Sequence, residues 1–292
     1  MRTLFVILAT LVFGKIQGFA DIPLLISHRG ESSDAPENTM AAFRLSRERG
    51  IDGFECDVYL TADKRVVCLH DKNLKRTTGL DKGIKQAKWP EISKLSAGRW
   101  KGEKFAGQGV PLLSEILTLA QEGFLIYVEV KDGVEIIPYL EKIIAVEPKA
   151  TPARVVFISF NREVVRTLRR TLPAYRAYLL CGIKRDKSGK PRPSAPELVK
   201  ILRKLGASGV DIGFTPDVGR DYVRTVKEAG FSFHVWTIDR PSRARAARKA
   251  GVDSITTNSG MRLREAFRKN KGAVPEGEKQ RARQFSSFPP SP

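Results

Sequence analysis

The strongest constraint on this chain is a rhythm. Short apolar, β-favouring runs recur at residues 24–28, 51–57, 125–131, 155–160, 175–181, 208–213, 231–237 and 254–257. Between them lie helical segments such as "PENTMAAFRLSRERG", "PLLSEILTLAQEG", "NREVVRTLRRTL", "APELVKILRKLG", "RDYVRTVKEAG" and "PSRARAARKAG". Several end in Gly, which closes a helix in the left-handed conformation. Eight strands alternating with helices over about 240 residues predict an α/β fold, a (β/α)8 TIM barrel, whose usual size is about 250 residues. A doubly wound open sheet has the same local alternation, and periodicity alone does not separate the two.

One segment breaks the rhythm. "DVYLTADKRVVCLHD" holds two strand-like runs separated by "TADKR", too short for a parallel crossover. It reads as a hairpin rising from the end of the second strand. A turn centred between Asp63 and Lys64 sets Asp57 opposite His70 and Tyr59 opposite Cys68. Alternation then places Asp57, His70 and Cys68 on one face and Cys56 on the other. Residues 71–110, with Trp89 and Trp100, form a small insertion after the second strand, expected to overhang the barrel mouth.

The two ends fall outside this pattern. Arg2, the apolar run "LFVILATLVFG" and the small residues Gly18 and Ala20 follow the order of a secretory signal peptide. Residues 1–20 are therefore expected to be removed near Ala20, with export to the periplasm or the exterior; an uncleaved anchor is the alternative. Residues 21–268 form the barrel domain, and 269–292, charged and rich in Pro and Ser, are expected to be a disordered tail. Export permits disulfides, but three cysteines make no framework. With Cys56 and Cys68 on opposite faces, free thiols are expected.

The chain has 292 residues and a formal net charge of +19. Such an excess suits an anionic partner: a phosphorylated small molecule, an anionic membrane touched peripherally, or nucleic acid. No nucleic-acid-binding motif appears, and export makes intracellular nucleic acid an unsuitable partner. Nothing in the sequence specifies an oligomeric state.

Barrel enzymes carry their chemistry at the C-terminal ends of the strands. Those ends hold His28 and Arg29, then Glu55 and Asp57, then Glu129 and Lys131, and His70 joins them through the hairpin. Residues two apart on a strand share a face. Glu55, Asp57 and Glu129 make a hard oxygen site suited to Ca2+ or Mg2+, with Mn2+ a further candidate. The competing reading is a metal-free network in which Arg29 and Lys131 neutralise the acids. Zinc is disfavoured, because no Cys/His ligand spacing appears. His28 and His70 suit an acid/base pair. His234, in mid-strand, reads as structural.

"HRG…APENTMAAF…GIDGFECDVYLTADKRVVCLHDKNLKRTTG", followed by "VPLLSEIL", "IYVEVK", "ISF", "HVWTID" and "GVDSITTN", resembles the glycerophosphodiester phosphodiesterase family over about residues 24 to 265. The resemblance implies a phosphodiesterase barrel related to the phosphatidylinositol phospholipases, using one divalent cation. It implies that His28 and His70 are the histidine pair, that Glu55, Asp57 and Glu129 bind the metal, and that Arg29 and Lys131 contact phosphate. Trp236 would pack against substrate, or serve core packing alone. The implied reaction splits a small glycerophosphodiester into sn-glycerol 3-phosphate and an alcohol. Its rivals are a lysophospholipase D or sphingomyelinase D-like activity on intact lipids, and a basic protein that binds anionic membrane or nucleic acid without turnover. "TTNSGMRL" departs from the family's usual acid followed shortly by proline, which puts the shape of the last loop in question.

Overall fold

The computed structural model describes residues 22–269. The expected leader, and the expected tail beyond Lys269, lie outside the described residues. In chain order the strands are β1 (Leu24–Ser27), β2 (Gly53–Leu60), β3 (Val66–Cys68), β4 (Leu125–Val130), β5 (Val155–Ser159), β6 (Arg176–Cys181), β7 (Lys184–Arg185), β8 (Pro191–Arg192), β9 (Gly209–Gly213), β10 (Ser232–Trp236) and β11 (Ser254–Thr257). Around the sheet the order is β1-β11-β10-β9-β6-β5-β4-β2. β2 returns to β1, with Ile26 beside Gly53 and Ser27 beside Phe54. That closing pair makes the sheet a parallel eight-stranded barrel and excludes the open alternative. All eight barrel strands fall within or beside the predicted runs.

Strand parity divides the chemistry. Leu25, Phe54, Cys56, Ile126, Val128, Phe157, Val210 and Phe233 belong to the large core cluster under the helices. Their neighbours Ile26, Tyr127, Val156, Ile158, Tyr178 and Leu180 fill the barrel itself. Because Phe54, Cys56 and Val128 are outward, Glu55, Asp57 and Glu129 point inward, toward the barrel axis. Phe54 is fully buried and stacks on Phe43 at 4.4 Å. Burial of a side chain of this size contributes roughly 1.5–3 kcal/mol.

The helices follow their end signals. Helix Arg162–Thr171 is capped by Asn161, whose side chain accepts from the Glu163 amide. Helix Ala195–Leu205 starts with a Ser194/Glu197 capping box and stops at Gly206, with φ +65°. The first helix differs from expectation. It spans Met40–Glu48 with Thr39 as its cap, four residues after the predicted start at Pro36. The cause is Asn38, which sits at φ +55° outside helical geometry and sends its side-chain amide to Asp57 Oδ2 at 2.8 Å.

The hairpin forms with its register one residue away from the expected one. Val58 pairs with Cys68, Tyr59 with Val67 and Leu60 with Val66. Lys64 takes φ +65°, and the loop closes through Thr61 N–H to the Arg65 carbonyl at 2.9 Å. This odd-numbered loop is centred on Asp63 itself. A one-residue shift exchanges faces, so Cys68 joins Cys56 in the outer core instead of facing Asp57. All three cysteines are free thiols, although not for the expected reason of opposed faces. The insertion has a small core of its own, in which Leu74, Ile84, Ile92, Ala97 and Val110 pack against Tyr59, Val67 and Leu69 of the hairpin side. Among the described residues no helix is long and apolar enough to cross a membrane.

Candidate active site

The chain leaves β1 through two consecutive left-handed residues, Arg29 at φ +57° and Gly30 at φ +79°. The second needs Gly, since a Cβ there would lie 2.6 Å from the backbone of Ala42. The first is costly for a side-chain-bearing residue. It is held by its own amide, which donates to Glu55 Oε2 at 3.0 Å. The guanidinium then reaches Glu37 Oε1 at 2.8 Å and stands 3.4 Å from Asp57 Oδ2.

Glu55 and Asp57 are buried, and with Glu129 they offer ligand oxygens that all lie within 4.8 Å of one another. Lys131 closes the cluster, its ammonium 3.2 Å from Glu129 Oε1 and 3.4 Å from Asp57 Oδ1. The neutralising network considered from sequence is therefore present in part. It does not reach everything. Arg29 is shared with Glu37, and Glu55 Oε1 is buried without a hydrogen-bond partner among the described residues. Burial and the neighbouring Asp57 and Glu129 push the Glu55 carboxyl well above the usual range, and burial with Asp57 raises Glu129 to about 7. Crowded, partly unpartnered carboxylates of this kind fit a divalent cation bound through hard oxygen donors.

The two histidines are held differently. His28 follows β1, and its Nδ1 lies 2.7 Å from Asn258 Oδ1. Asn258 is itself fixed, because its Nδ2 donates to Asp239 Oδ2 at 2.7 Å and its backbone amide to Asp239 Oδ1 at 2.8 Å. A carboxylate only accepts, so the amide nitrogen faces Asp239 and the amide oxygen faces His28. His28 Nδ1 must then carry the proton, leaving Nε2 as the acceptor of the neutral ring. Burial, aided by Arg29, lowers the pKa of His28. His70 instead sets Nδ1 2.7 Å from Asp71 Oδ1. Arg76 donates to Asp71 Oδ2 at 2.7 Å and holds that carboxyl down at about 2. Arg76 also reaches Glu37, which joins the chain of contacts to Arg29.

His234 lies inside the barrel, stacked on Tyr178 at 4.4 Å and 2.7 Å from Ser254 Oγ, with its pKa lowered to about 4 by burial. Trp236 ends β10, with its indole N–H on the Asp211 carbonyl at 3.2 Å and its ring edge-to-face with exposed Phe160 at 5.6 Å. Neither of these contacts joins Trp236 to the acidic cluster. Direct contacts bring together Arg29, Glu55, Asp57, Glu129 and Lys131; His70 connects through Asp71, Arg76 and Glu37. Sequence reading missed Asn38, Asn258, Asp239, Asp71, Glu37, Arg76 and Phe160. Asn258, one residue past β11, and Phe160, one past β5, occupy strand-end positions that the barrel rule could have supplied.

The model of the glycerophosphoryl diester phosphodiesterase family matches residues 28–260, from His28 through the last loop. The chain belongs to that family. It is an enzyme of this class, a phosphoric diester hydrolase. A glycerophosphodiester phosphodiesterase of Caldanaerobacter subterraneus subsp. tengcongensis is 35% identical over 251 residues, covering 84% of this chain and 98% of the relative. A solved phosphodiesterase of Oleispira antarctica, in complex with the product sn-glycerol-3-phosphate, superposes with a TM-score of 0.75 at 27% identity, over 85% of this chain and 97% of that one. A glycerophosphodiester phosphodiesterase structure from Parabacteroides distasonis, at 24% identity, shares the fold with a TM-score of 0.69 over 86% of this chain and 99% of its own. The family depends on a divalent metal in general.

Proposed function

We propose that this enzyme hydrolyses small glycerophosphodiesters to sn-glycerol 3-phosphate and an alcohol, with one divalent cation, Ca2+ or Mg2+, held by Glu55, Asp57 and Glu129. The supporting observation is the buried oxygen cluster in which Glu55 Oε1 has no partner among the described residues. When bound, the cation supplies charge stabilisation at phosphate oxygen and lowers the pKa of a nearby hydroxyl. The side chains supply the rest. Arg29 and Lys131 share the phosphate charge through charge-assisted hydrogen bonds. His28, neutral and with Nε2 free, takes the proton of the attacking hydroxyl. His70, oriented by its Nδ1 contact with Asp71 Oδ1, gives a proton to the departing alcohol oxygen. This proton inventory is the same whether the attacking hydroxyl belongs to the substrate's glycerol or to water.

In a test with residues 21–292, glycerol 3-phosphate should be released from glycerophosphocholine or a related diester, and EDTA should abolish it. His28→Ala and His70→Ala should each lower turnover by about 10²–10⁴-fold. Full activity in both single variants would sink the assignment.

A further inference from the structure

A cleft of about 360 Å³ opens between the insertion and the barrel mouth, lined by Tyr59, Lys72, Ile84, Lys85, Gln86 and Lys131 among others. Lys131 belongs both to this cleft and to the carboxylate cluster. A diester with its phosphorus between Arg29 and Lys131 therefore directs one ester arm into the cleft. Lys72 of the lining follows His70, the proposed proton donor, by two residues in the chain, and on the proposed mechanism the arm entering here is the one whose oxygen faces His70. On the reading above, that arm is the departing alcohol.

The cleft carries three ammonium groups in unequal states. Lys131 is engaged by Glu129 and Asp57. Lys85 is engaged by Asp132 and Glu135, each at 2.9 Å. Asp132, the carboxylate in the wall, spends its other oxygen on the Leu60 amide at 2.7 Å. Lys72 is anchored only through its backbone, its carbonyl accepting from the Ile84 amide at 2.9 Å. Its ammonium has no ion-pair or hydrogen-bond partner among the described residues. The aromatic of the lining, Tyr59, is buried in the insertion core and offers no open ring face to a quaternary ammonium.

We propose that this cleft is the subsite for the departing alcohol and that Lys72 selects alcohols bearing an anionic group, such as a second phosphate, over neutral or cationic ones. The inference rests on the proposed hydrolase reading and deepens it. It is tested with three probes: bis(glycerophospho)glycerol, glycerophosphoglycerol and glycerophosphocholine, whose alcohol parts are anionic, neutral and cationic. The expected kcat/KM order is anionic, then neutral, then cationic, with about a tenfold spread at low salt that narrows as salt is raised. Lys72→Glu should reduce the ratio of anionic to cationic kcat/KM by about tenfold or more, and the ratio cancels any loss of folded enzyme. Equal kcat/KM for anionic and neutral probes, a preference for the choline diester, or an unchanged ratio in Lys72→Glu would overturn the inference while leaving hydrolysis intact. Failure to cleave any of the three, with cation present, would overturn the hydrolase reading and the subsite with it.

Discussion

The two histidines differ chiefly in what holds their Nδ1 atoms: a neutral amide for His28 and a carboxylate for His70. A base must be neutral to act, so kcat/KM should fall as pH drops through the pKa of His28, which burial and Arg29 hold below 6.5. The bond to Asn258 works the other way and raises it. Asn258→Leu should therefore lower kcat by about tenfold or more, as loss of an orienting partner does, and move the acid limb of the pH profile to lower pH. A lower rate with an unmoved acid limb would indicate a merely structural Asn258. The charged residues at the strand ends were legible because charge on an apolar strand is conspicuous. Asn258 was not, since a neutral amide in "TTNSG" reads as loop, and its meaning appears only when Asp239 fixes its orientation.

At the scale of elements, the strands were legible because their apolar runs are distinct and their parity assigns Glu55, Asp57 and Glu129 to the interior. Boundaries and register were less so. Helix Met40–Glu48 begins late because Asn38 leaves helical geometry to reach Asp57, a tertiary demand absent from local sequence. The hairpin slipped by one residue because the left-handed Lys64 makes its loop odd-numbered. The turn after β1 should be the least tolerant element. Gly30→Ala puts a Cβ against the Ala42 backbone at a left-handed φ, and should cost about 2 kcal/mol or more in urea unfolding. An unchanged midpoint would show that the turn relaxes freely.

For the whole molecule, alternation left barrel and open sheet equally open, and only the β1–β2 pairing closes the ring. The same closure concentrates acids in the interior, and this gives stability a pH dependence. Glu129 has its pKa raised from 4.5 to about 7. The stability contributed by its protonated form is present below the unfolded pKa and lost as pH rises through about 7. Glu55 is displaced in the same direction. His234 acts oppositely: lowered from 6.5 to about 4, it favours the fold above the unfolded pKa, and that contribution is lost as pH falls toward about 4. Comparing the protein with and without cation at one pH cancels the His234 contribution.

A cation binds the deprotonated cluster, so its stabilising effect should grow over the window in which Glu129 ionises. Cation at about 100 times its Kd adds about 2.7 kcal/mol to a folded state that alone binds it. The decisive measurement is thermal unfolding in EDTA against millimolar Ca2+ or Mg2+, at pH 6 and pH 8, for the native sequence and for Glu55→Gln. The account predicts a Tm gain of about 5 °C or more at pH 8, a smaller gain at pH 6, and little gain at either pH in Glu55→Gln. No gain at pH 8, or an equal gain in Glu55→Gln, would contradict a divalent cation at Glu55, Asp57 and Glu129.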